Sequence, residues 1–350
     1  MNKRPPRNGE QVTTIQNTLI IDGNSLFKTG FHGAKNEYNQ KGEAIGGVYQ
    51  FLTVLRKLLT EDLYHRVYVF WDGPMSGKLR YNIYEPYKSG RGKDYVNGTQ
   101  PVDISEIKQR KIIWDYLNEM YIRQLSNEVI EGDDFIAYYC LGKKDNEKIT
   151  ICSNDRDMLQ LIDEDIKIYI LDLKNYVGKS NYSTYFRHHQ ENSVLLKTMS
   201  GDVSDSIKGI KGLGEKTLLT FFPELNERKV NINEIIEKSK VLQLERVENK
   251  QKPLKVLDNI INSITDGVQG DKIYEINERL VNLKKPMMTE EGINDLNELM
   301  NNTLDFSNRE LKNVLAMMKE DGLENKIGEY RYPDFLTPFK KLIDREKKNF

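Results

Sequence analysis

The chain has 350 residues, of which 38% are hydrophobic and 30% are charged, and its formal net charge is −1. That apolar fraction suffices for a packed core, so it excludes wholesale disorder, and the length indicates roughly two or three domains of about 150 residues. No apolar run approaches the ~20 residues that span a bilayer, and the basic N-terminus lacks the apolar stretch of a secretory signal, so we expect a soluble protein without a membrane partner.

The first half of the chain alternates predicted strands and helices. Residues 1–16 are interpreted as a flexible basic tail, and the apolar run TLIID then predicts a buried strand that ends at Asp22. A helix with one apolar face is predicted over about 48–59, and RVYVFWD predicts a second buried strand that ends at Asp72. This alternation is typical of an α/β fold with a mostly parallel sheet flanked by helices.

The alternation continues to about residue 171. A helix is predicted over roughly 105–125, NEVIEG is predicted to be a short strand, and Asp133 with Asp134 opens the next helix. KITICS and KIYIL are predicted strands on either side of NDRDMLQLI. Sites in such folds form beyond the carboxyl ends of the strands, which is where these predicted strands carry acidic residues.

After about residue 190 the strand signals stop. Helices are predicted over 193–200, 214–221, 232–243, 254–264, 290–301 and 308–319. The polar, basic stretch 240–256 is interpreted as a loop or linker. The second half of the chain is therefore predicted to be helical.

Nine carboxylates lie at predicted strand ends or helix starts within the first 205 residues. They are Asp22, Asp72, Glu131, Asp133, Asp134, Asp155, Asp157, Asp202 and Asp205. Carboxylates that share a pocket raise one another's pKa and cannot all ionise, unless a divalent cation supplies the opposite charge. Their hard oxygen ligands select Mg²⁺, Mn²⁺ or Ca²⁺. Each acid alone is more simply a turn or helix-capping residue, but agreement at four strand ends favours a metal site.

The segment SGDVSDSIKGIKGLGEKT, residues 200–217, resembles a helix-hairpin-helix element. Its glycines permit a tight turn that presents backbone N–H groups to a phosphate. A nucleotide-binding P-loop is excluded, because Glu215 separates Gly214 from Lys216. The simpler alternative is a glycine-rich turn between helices. The candidate DNA contacts are Lys208, Gly209, Lys211, Gly212, Gly214, Lys216 and Thr217.

Tyrosines and cations alternate in the segment SGKLRYNIYEPYKSGRGK, residues 76–93. Tyrosines stack on unpaired bases and cations follow the phosphate backbone, so the pattern favours single-strand binding. The alternative is a solvated charged loop with partly buried tyrosines. The candidate contacts are Arg80, Tyr81, Tyr84, Tyr87 and Lys93, with Lys88 and Arg91 as candidate catalytic cations.

Histidines and cysteines indicate no further chemistry. His188 and His189 are adjacent, so their side chains point apart, and we interpret both as surface residues. Cys140 and Cys152 form neither a disulfide framework nor a zinc pattern, which is typical of a reducing cytosol.

Taken in order, these motifs resemble the 5′ nuclease superfamily, which includes flap endonucleases and the 5′–3′ exonuclease domains of bacterial DNA polymerase I. The resemblance covers about residues 17–240, and the chain length is similar to free-standing bacteriophage members such as phage ribonuclease H. The matching motifs are Asp22, Asp72-Gly73, Arg80 with Tyr87-Lys88-Ser89-Gly90-Arg91, Glu131-Gly132-Asp133-Asp134, Asp155-Arg156-Asp157 and Gly201–Asp205. Four residues depart from the family pattern: Gly132 replaces Ala, Arg156 replaces Gly, Ser206 replaces Asn and Lys208 replaces Pro.

The resemblance implies a PIN-like catalytic α/β domain over 17–190, with a gateway or arch at about 76–115 that admits a free 5′ strand. It implies a helical DNA-binding region over 191–350, with a helix–three-turn–helix at about 197–240 that grips duplex backbone and in relatives holds a K⁺ ion.

The resemblance also implies two Mg²⁺ ions, replaceable by Mn²⁺, about 3.5–4 Å apart. Asp72, Glu131 and Asp133 would hold the first ion, with Asp22 acting through water. Lys88 would contact the scissile phosphate, assisted by Arg91. The second ion would be surrounded by Asp134, Asp155, Asp157 and Asp202, with Asp205 nearby.

The implied activity is removal of primers or flaps during DNA replication and repair, by a monomer in the cytoplasm or, if phage-encoded, the host cytoplasm. Its partners would be DNA with 5′ flaps, nicks or ends, RNA–DNA hybrids, and single-strand-binding or other replication proteins. Two alternatives remain: a structure-specific DNA-binding protein without catalysis, and a PIN-type endoribonuclease. All nine acids are present, which argues against the first, and PIN-type domains lack the 200–217 element, which argues against the second.

Overall fold

A six-stranded sheet forms the centre of the computed structural model, which describes residues 15–92, 103–264, 272–302, 311–328 and 332–348. Its strands are β1 Gln16–Asp22, β2 Arg66–Asp72, β3 Arg123–Asn127, β4 Glu147–Cys152, β5 Ile166–Ile170 and β6 Asn175–Val177. They lie in the order β3-β2-β1-β4-β5-β6, and all neighbours are parallel except β5 and β6. This arrangement confirms the predicted α/β fold with a mostly parallel sheet.

Helices cover both faces of this sheet. The helices of the first 200 residues are α1 Gly23–Gly33, α2 Gly46–Glu61, α3 Lys78–Tyr81, α4 Ile104–Glu119, α5 Gly132–Leu141, α6 Tyr182–Tyr185 and α7 Ser193–Ser200. A 3₁₀-helix spans Arg156–Leu161. Because successive side chains of a strand face opposite sides, Leu19 and Ile21 of β1 enter one hydrophobic core with α1, α2 and α4, whereas Ile20 enters the other with α5.

The remaining part of the chain forms a small hairpin and further helices. These elements are β7 Gly201–Asp202, β8 Ile207–Lys208, α8 Glu215–Phe221, α9 Ile232–Glu248, α10 Lys255–Ile261, α11 Lys272–Val281, α12 Glu290–Asn301, α13 Leu311–Glu320, α14 Glu324–Ile327 and α15 Tyr332–Lys348. Helices α7 to α11 share a third core, which includes Leu218, Phe222 and Leu257. Within the described residues, no helix combines the length and apolar character needed to cross a membrane.

Helices α12, α13 and α15 return to the α/β sheet. Leu296 of α12 enters one core of the sheet, and Val314 and Phe339 enter the other. The predicted second region, 191–350, therefore contains both a separate helical unit, α7 to α11, and helices that complete the first domain.

The predictions for three segments are wrong. The helix predicted over 105–125 ends at Glu119, and the strand expected in NEVIEG lies earlier, at Arg123–Asn127. Strand β3 is at the edge of the sheet and reads RQLSN, so it lacks the apolar run that marks a central strand. The loop expected at 240–256 is mostly helix, because α9 begins at an Asn231–Glu234 capping box and continues to Glu248.

Candidate active site

The adjacent parallel strands β1 and β2 place Asp22 and Asp72 at the same edge of the sheet. Asp22 ends β1 and is buried, with its Oδ1 accepting the Ser25 N–H at 2.9 Å and its Oδ2 accepting the Ser153 hydroxyl at 2.7 Å. Asp72 ends β2, and its Oδ1 accepts the Gly132 N–H at 2.8 Å. Asp22 is also the N-cap residue of α1, so one side chain both caps this helix and belongs to the candidate site. Burial raises the pKa of Asp22 to about 7.

The start of α5 supplies three further acids. Glu131 is the N-cap of this helix, and Asp133 and Asp134 occupy its first turn, where the helix dipole favours negative charge. Burial and the negative charges of Asp22, Asp155 and Asp72 raise the pKa of Asp133 well above its usual range. Asp133 is therefore a carboxylate that lacks a compensating positive charge, as a metal ligand does before its ion binds.

The other carboxylates belong to the same electrostatic site. Besides burial, the negative charge of Asp202 raises the pKa of Asp157, and those of Glu131 and Asp202 raise the pKa of Asp205. The charge of Glu131 likewise raises the pKa of Asp134. Because Glu131 also acts on Asp133, charge effects connect all nine predicted acids, here called the acidic cluster. Five of them line one small cavity: Glu131, Asp133, Asp157, Asp202 and Asp205.

Lysine and arginine side chains neutralise part of this cluster. Burial would raise the pKa of Glu131, but Lys88 and Arg80 lower it to about 2. Lys88 is buried in an ion pair with Glu131, and Arg91 pairs with Asp205. In the parts of the chain that the structure describes, no three acidic, histidine or cysteine side chains are arranged to hold a metal ion. The oxygen-only donor set nevertheless fits a hard divalent cation.

The structure corrects the position expected for Arg80 and Tyr87. Arg80 is buried beneath the cluster, donating from Nη1 to Glu131 at 2.6 Å and from Nη2 to Asp134 at 3.0 Å. Tyr87 is also buried, and its hydroxyl donates to Glu131 at 3.0 Å. Ion pairs with Glu131 and Asp134 hold Arg80 inward, and the hydrogen bond to Glu131 holds Tyr87, so both side chains are buried beside the acids. Tyr81 and Tyr84 are half-buried, and Lys93 lies outside the described residues.

Sequence reasoning missed Lys197. This residue lies in the last turn of α7, and its ammonium bridges Asp157 at 2.5 Å and Asp202 at 2.7 Å. Burial would raise the pKa of Asp202, but Lys197 lowers it to about 2. Burial raises the pKa of Asp157 to about 7 against the opposing effect of Lys197. The position of Lys197 one turn before Asp202 was the only signal in the sequence.

The glycine-rich element follows the acids directly. Gly201 requires glycine, because its φ is +73° and a Cβ there would lie 2.3 Å from the Gly209 nitrogen. Gly212 has a φ of +81°, and Lys208, Lys211 and Lys216 are exposed near the turn. Gly214 is also exposed, whereas Gly209 and Thr217 are half-buried.

Two asparagines from later helices hold this turn in place. Asn277 of α11 donates its amide to the carbonyls of Thr198 at 3.0 Å and Lys208 at 2.9 Å. Asn259 of α10 donates to the carbonyl of Lys211 at 2.8 Å. Residues beyond 240 therefore fix the shape of the candidate DNA-binding turn.

His188 and Arg156 make contacts that their positions in the sequence do not indicate. His188 was expected at the surface, but it is buried, with its Nε2 2.7 Å from the Tyr182 hydroxyl and its Nδ1 3.5 Å from a carboxylate oxygen of Glu215. Arg156 separates Asp155 and Asp157 in sequence, but its guanidinium lies 5.9 Å from the ring centre of Phe186.

The fold and the site define an α/β protein with an acidic cluster at the carboxyl edge of a parallel sheet. The N-terminal resolvase-like domain of 5′–3′ exonucleases matches residues 17–194, a little more than half of the chain. The chain therefore belongs to the 5′–3′ exonuclease family, which confirms the resemblance found in the motifs.

Curated relatives and solved structures agree with this assignment. A 5′–3′ exonuclease of Mycoplasmopsis pulmonis is 29% identical over 213 residues, which is 60% of this chain and 68% of that protein. The thermostable DNA polymerase I of Thermus thermophilus is 28% identical over 59% of this chain and 24% of its own length. The chain thus spans about a quarter of the polymerase relatives that it matches.

Among solved structures, T5 5′-exonuclease with zinc bound has a TM-score of 0.58 and 19% identity, covering 88% of this chain and 99% of that one. A bacteriophage T5 flap endonuclease in a pseudo-enzyme-product complex with DNA and metal ions has a TM-score of 0.57 and 18% identity, covering 95% of this chain and 100% of that one. At this identity the likeness shows a shared fold.

Proposed function

We propose that the protein is a divalent-metal-dependent, structure-specific 5′ nuclease. It would hydrolyse phosphodiesters near the 5′ end of flapped, nicked or RNA-primed DNA and so remove flaps or primers during replication and repair. The observation that carries the proposal is the convergence of nine carboxylates from separate segments into one electrostatic cluster beside Lys88 and Arg91.

The nine acids divide into two candidate ligand groups. Asp72, Glu131 and Asp133 would hold one Mg²⁺ or Mn²⁺ ion, with Asp22 acting through water. The second ion would be held by Asp134, Asp155, Asp157 and Asp202, with Asp205 nearby. When bound, two such ions supply charge stabilisation and water activation for in-line displacement at phosphorus.

The chain's own cations have a separate role. Lys88 and Arg91 are on one short segment, and each is paired with a carboxylate of the cluster. We assign both to the scissile phosphate, since ammonium and guanidinium groups form strong charge-assisted hydrogen bonds to phosphate oxygens. A phosphate bound by both cations would lie next to the acidic cluster.

The glycine-rich turn would hold the duplex. Exposed Lys208, Lys211 and Lys216 surround a turn whose carbonyls are held from behind by Asn259 and Asn277. Contacts of this kind position DNA through its backbone without reading sequence. In our proposal 17–190 is the catalytic domain, 76–115 the gateway for the 5′ strand, and 197–240 the helix–three-turn–helix with its K⁺ site.

Product mapping tests the proposal. Flap, nicked and RNA–DNA hybrid substrates labelled at the 5′ end are incubated with Mg²⁺, and the products are sized and their ends identified. We expect cleavage near the 5′ junction that leaves 5′-phosphate and 3′-hydroxyl ends and is lost in an Asp155→Asn/Asp157→Asn variant. Binding without cleavage would instead indicate a non-catalytic DNA-binding protein, and preferential cleavage of single-stranded RNA an endoribonuclease.

A further inference from the structure

Residues 280–287, which are the last two residues of α11 and the six that follow it, pass directly beside the acidic cluster. Leu280, Val281 and Leu283 are buried and line the same cavity as Glu131 and Asp157. No motif in the sequence marks this segment, and it lies beyond the part of the chain in which family motifs are found.

Two cluster residues bond to the backbone of this segment. The Nε of Arg80 donates to the carbonyl of Leu280 at 2.9 Å. The Oδ1 of Asp134 accepts the N–H of Met287 at 2.9 Å. Arg80 and Asp134 are also bonded to each other, so the segment closes a ring of buried polar contacts beneath Glu131.

Gln160 connects the same segment to the opposite side of the cluster. Its Nε2 donates to the carbonyl of Val281 at 2.9 Å, and its Oε1 accepts the N–H of Leu283 at 3.0 Å. Gln160 is 3% exposed and belongs to the 3₁₀-helix Arg156–Leu161, which carries Asp157. The side-chain amide of Gln160 therefore forms one donated and one accepted hydrogen bond with this backbone, as a neighbouring β-strand would.

We infer that Gln160 is a positioning residue for the metal centre. Through residues 280–287 it sets the separation between the acid on the 3₁₀-helix, Asp157, and the acids at the start of α5, Glu131 and Asp134. Carboxylates repel one another until an ion binds, so their spacing must be held by groups that are not ligands. Buried partners of ligands commonly change metal affinity 10- to 100-fold when they are removed.

This inference rests on the proposed metal site. The test measures the binding of Mn²⁺ to the DNA-free protein by electron paramagnetic resonance. We expect Gln160→Ala to weaken Mn²⁺ binding about 10-fold. The matched control is Gln243→Ala. Gln243 of α9 makes a similar pair of backbone bonds, donating to the Leu254 carbonyl at 3.0 Å and accepting the Leu254 N–H at 2.9 Å. It joins α9 to the N-cap of α10 and also donates to Asp258.

A second measurement on the wild-type protein needs no variant. If the 280–287 segment is coupled to the metal centre, Mg²⁺ must slow amide hydrogen exchange at Leu283, because linkage is reciprocal. The Leu254 amide, held by Gln243, should exchange at the same rate with and without Mg²⁺.

The outcomes separate this inference from the proposed function. Gln160→Ala that binds Mn²⁺ as the wild type does, or a Leu283 amide indifferent to Mg²⁺, would overturn it. Mn²⁺ affinity that falls equally in Gln160→Ala and Gln243→Ala would also overturn it, because both variants would then reflect a general loss of protein rigidity. A wild-type protein that binds Mn²⁺ but cleaves no DNA would defeat the nuclease proposal and leave this inference intact.

Discussion

The backbone N–H of Lys88 donates a hydrogen bond to the carbonyl oxygen of Asp205 at 2.8 Å. This bond joins the basic tyrosine segment to the β7–β8 hairpin, two parts of the chain that sequence reasoning assigned to separate roles. The Gly90 N–H reinforces it by approaching the Ser206 hydroxyl at 3.4 Å. A candidate phosphate-binding cation and a candidate metal ligand are therefore held in one rigid unit.

Ser206 lies in this unit with a φ of +59°, a left-handed conformation that serine adopts at a cost. Asparagine, the residue that the family resemblance places at this position, tolerates it better. We expect Ser206→Asn to raise the free energy of unfolding by about 0.5–1 kcal/mol in urea titrations. The control Ser183→Asn, in exposed α6, should change it by less than about 0.5 kcal/mol. Equal effects at both positions would remove the strain argument.

The metal-free protein should lose stability as the pH rises from 5 to 7. Asp22 and Asp157 have folded-state pKa values of about 7 against an ordinary 3.8, so the folded state holds protons that the unfolded state has released. The contribution of these bound protons to the free energy of unfolding is fully present below about pH 4 and is lost as the pH approaches 7. Urea titrations in EDTA at each pH measure this slope. Asp22→Asn/Asp157→Asn should flatten it, and a slope unchanged in that variant would contradict the assignment.

Asn277 should affect DNA binding without contacting DNA. Asn277→Leu removes one hydrogen bond from each of the carbonyls of Thr198 and Lys208, at a cost of about 0.5–1.5 kcal/mol each, and loosens the glycine-rich turn. We expect weaker binding of nicked duplex in Ca²⁺, measured by fluorescence anisotropy. Asn262→Leu is the control, because Asn262 is the exposed C-cap residue of α10 and its amide donates to the Asp258 carbonyl. Unchanged affinity in a folded Asn277→Leu protein would disprove the role.

The C-terminal helix should be essential to the α/β domain. Arg123 of β3 and Glu346 of α15 form an ion pair at 2.6 Å in which the side chains are 2% and 3% exposed. Removing one partner leaves a buried charge, so Arg123→Met should cost about 3–5 kcal/mol of unfolding free energy. Arg123→Met/Glu346→Leu should recover most of that loss. A loss of under about 1 kcal/mol in the single variant, comparable to an exposed pair, would show that this ion pair does not hold α15 to the domain.

The sequence indicates which acids follow predicted strands, but it reveals little about the side chains that surround them. Asp22 and Asp72 follow continuous apolar runs, and parallel strands bring such residues to one edge, so their meeting could be foreseen. Strand β3 could not, because an edge strand carries no apolar run. The partnerships of Arg80, Lys197 and Gln160 depend on contacts between distant segments, which spacing along the chain does not reveal.

The inward position of Arg80 illustrates this limit. Local pattern places it among tyrosines and cations, as in a DNA-binding loop, and nothing nearby in sequence indicates that Glu131 and Asp134 would bury it. Residues 280–287 are a stronger case, since their role arises entirely from the backbone groups that they offer to Arg80, Asp134 and Gln160.

Anomalous diffraction from crystals soaked in Mn²⁺ tests most directly whether the nine carboxylates form a divalent-metal centre. We expect anomalous density among Asp72, Glu131, Asp133 and Asp157, with Lys88 and Lys197 displaced from their acidic partners. Crystals that show no Mn²⁺ within the cluster, while Lys88 remains paired with Glu131 and Lys197 with Asp202, would contradict it.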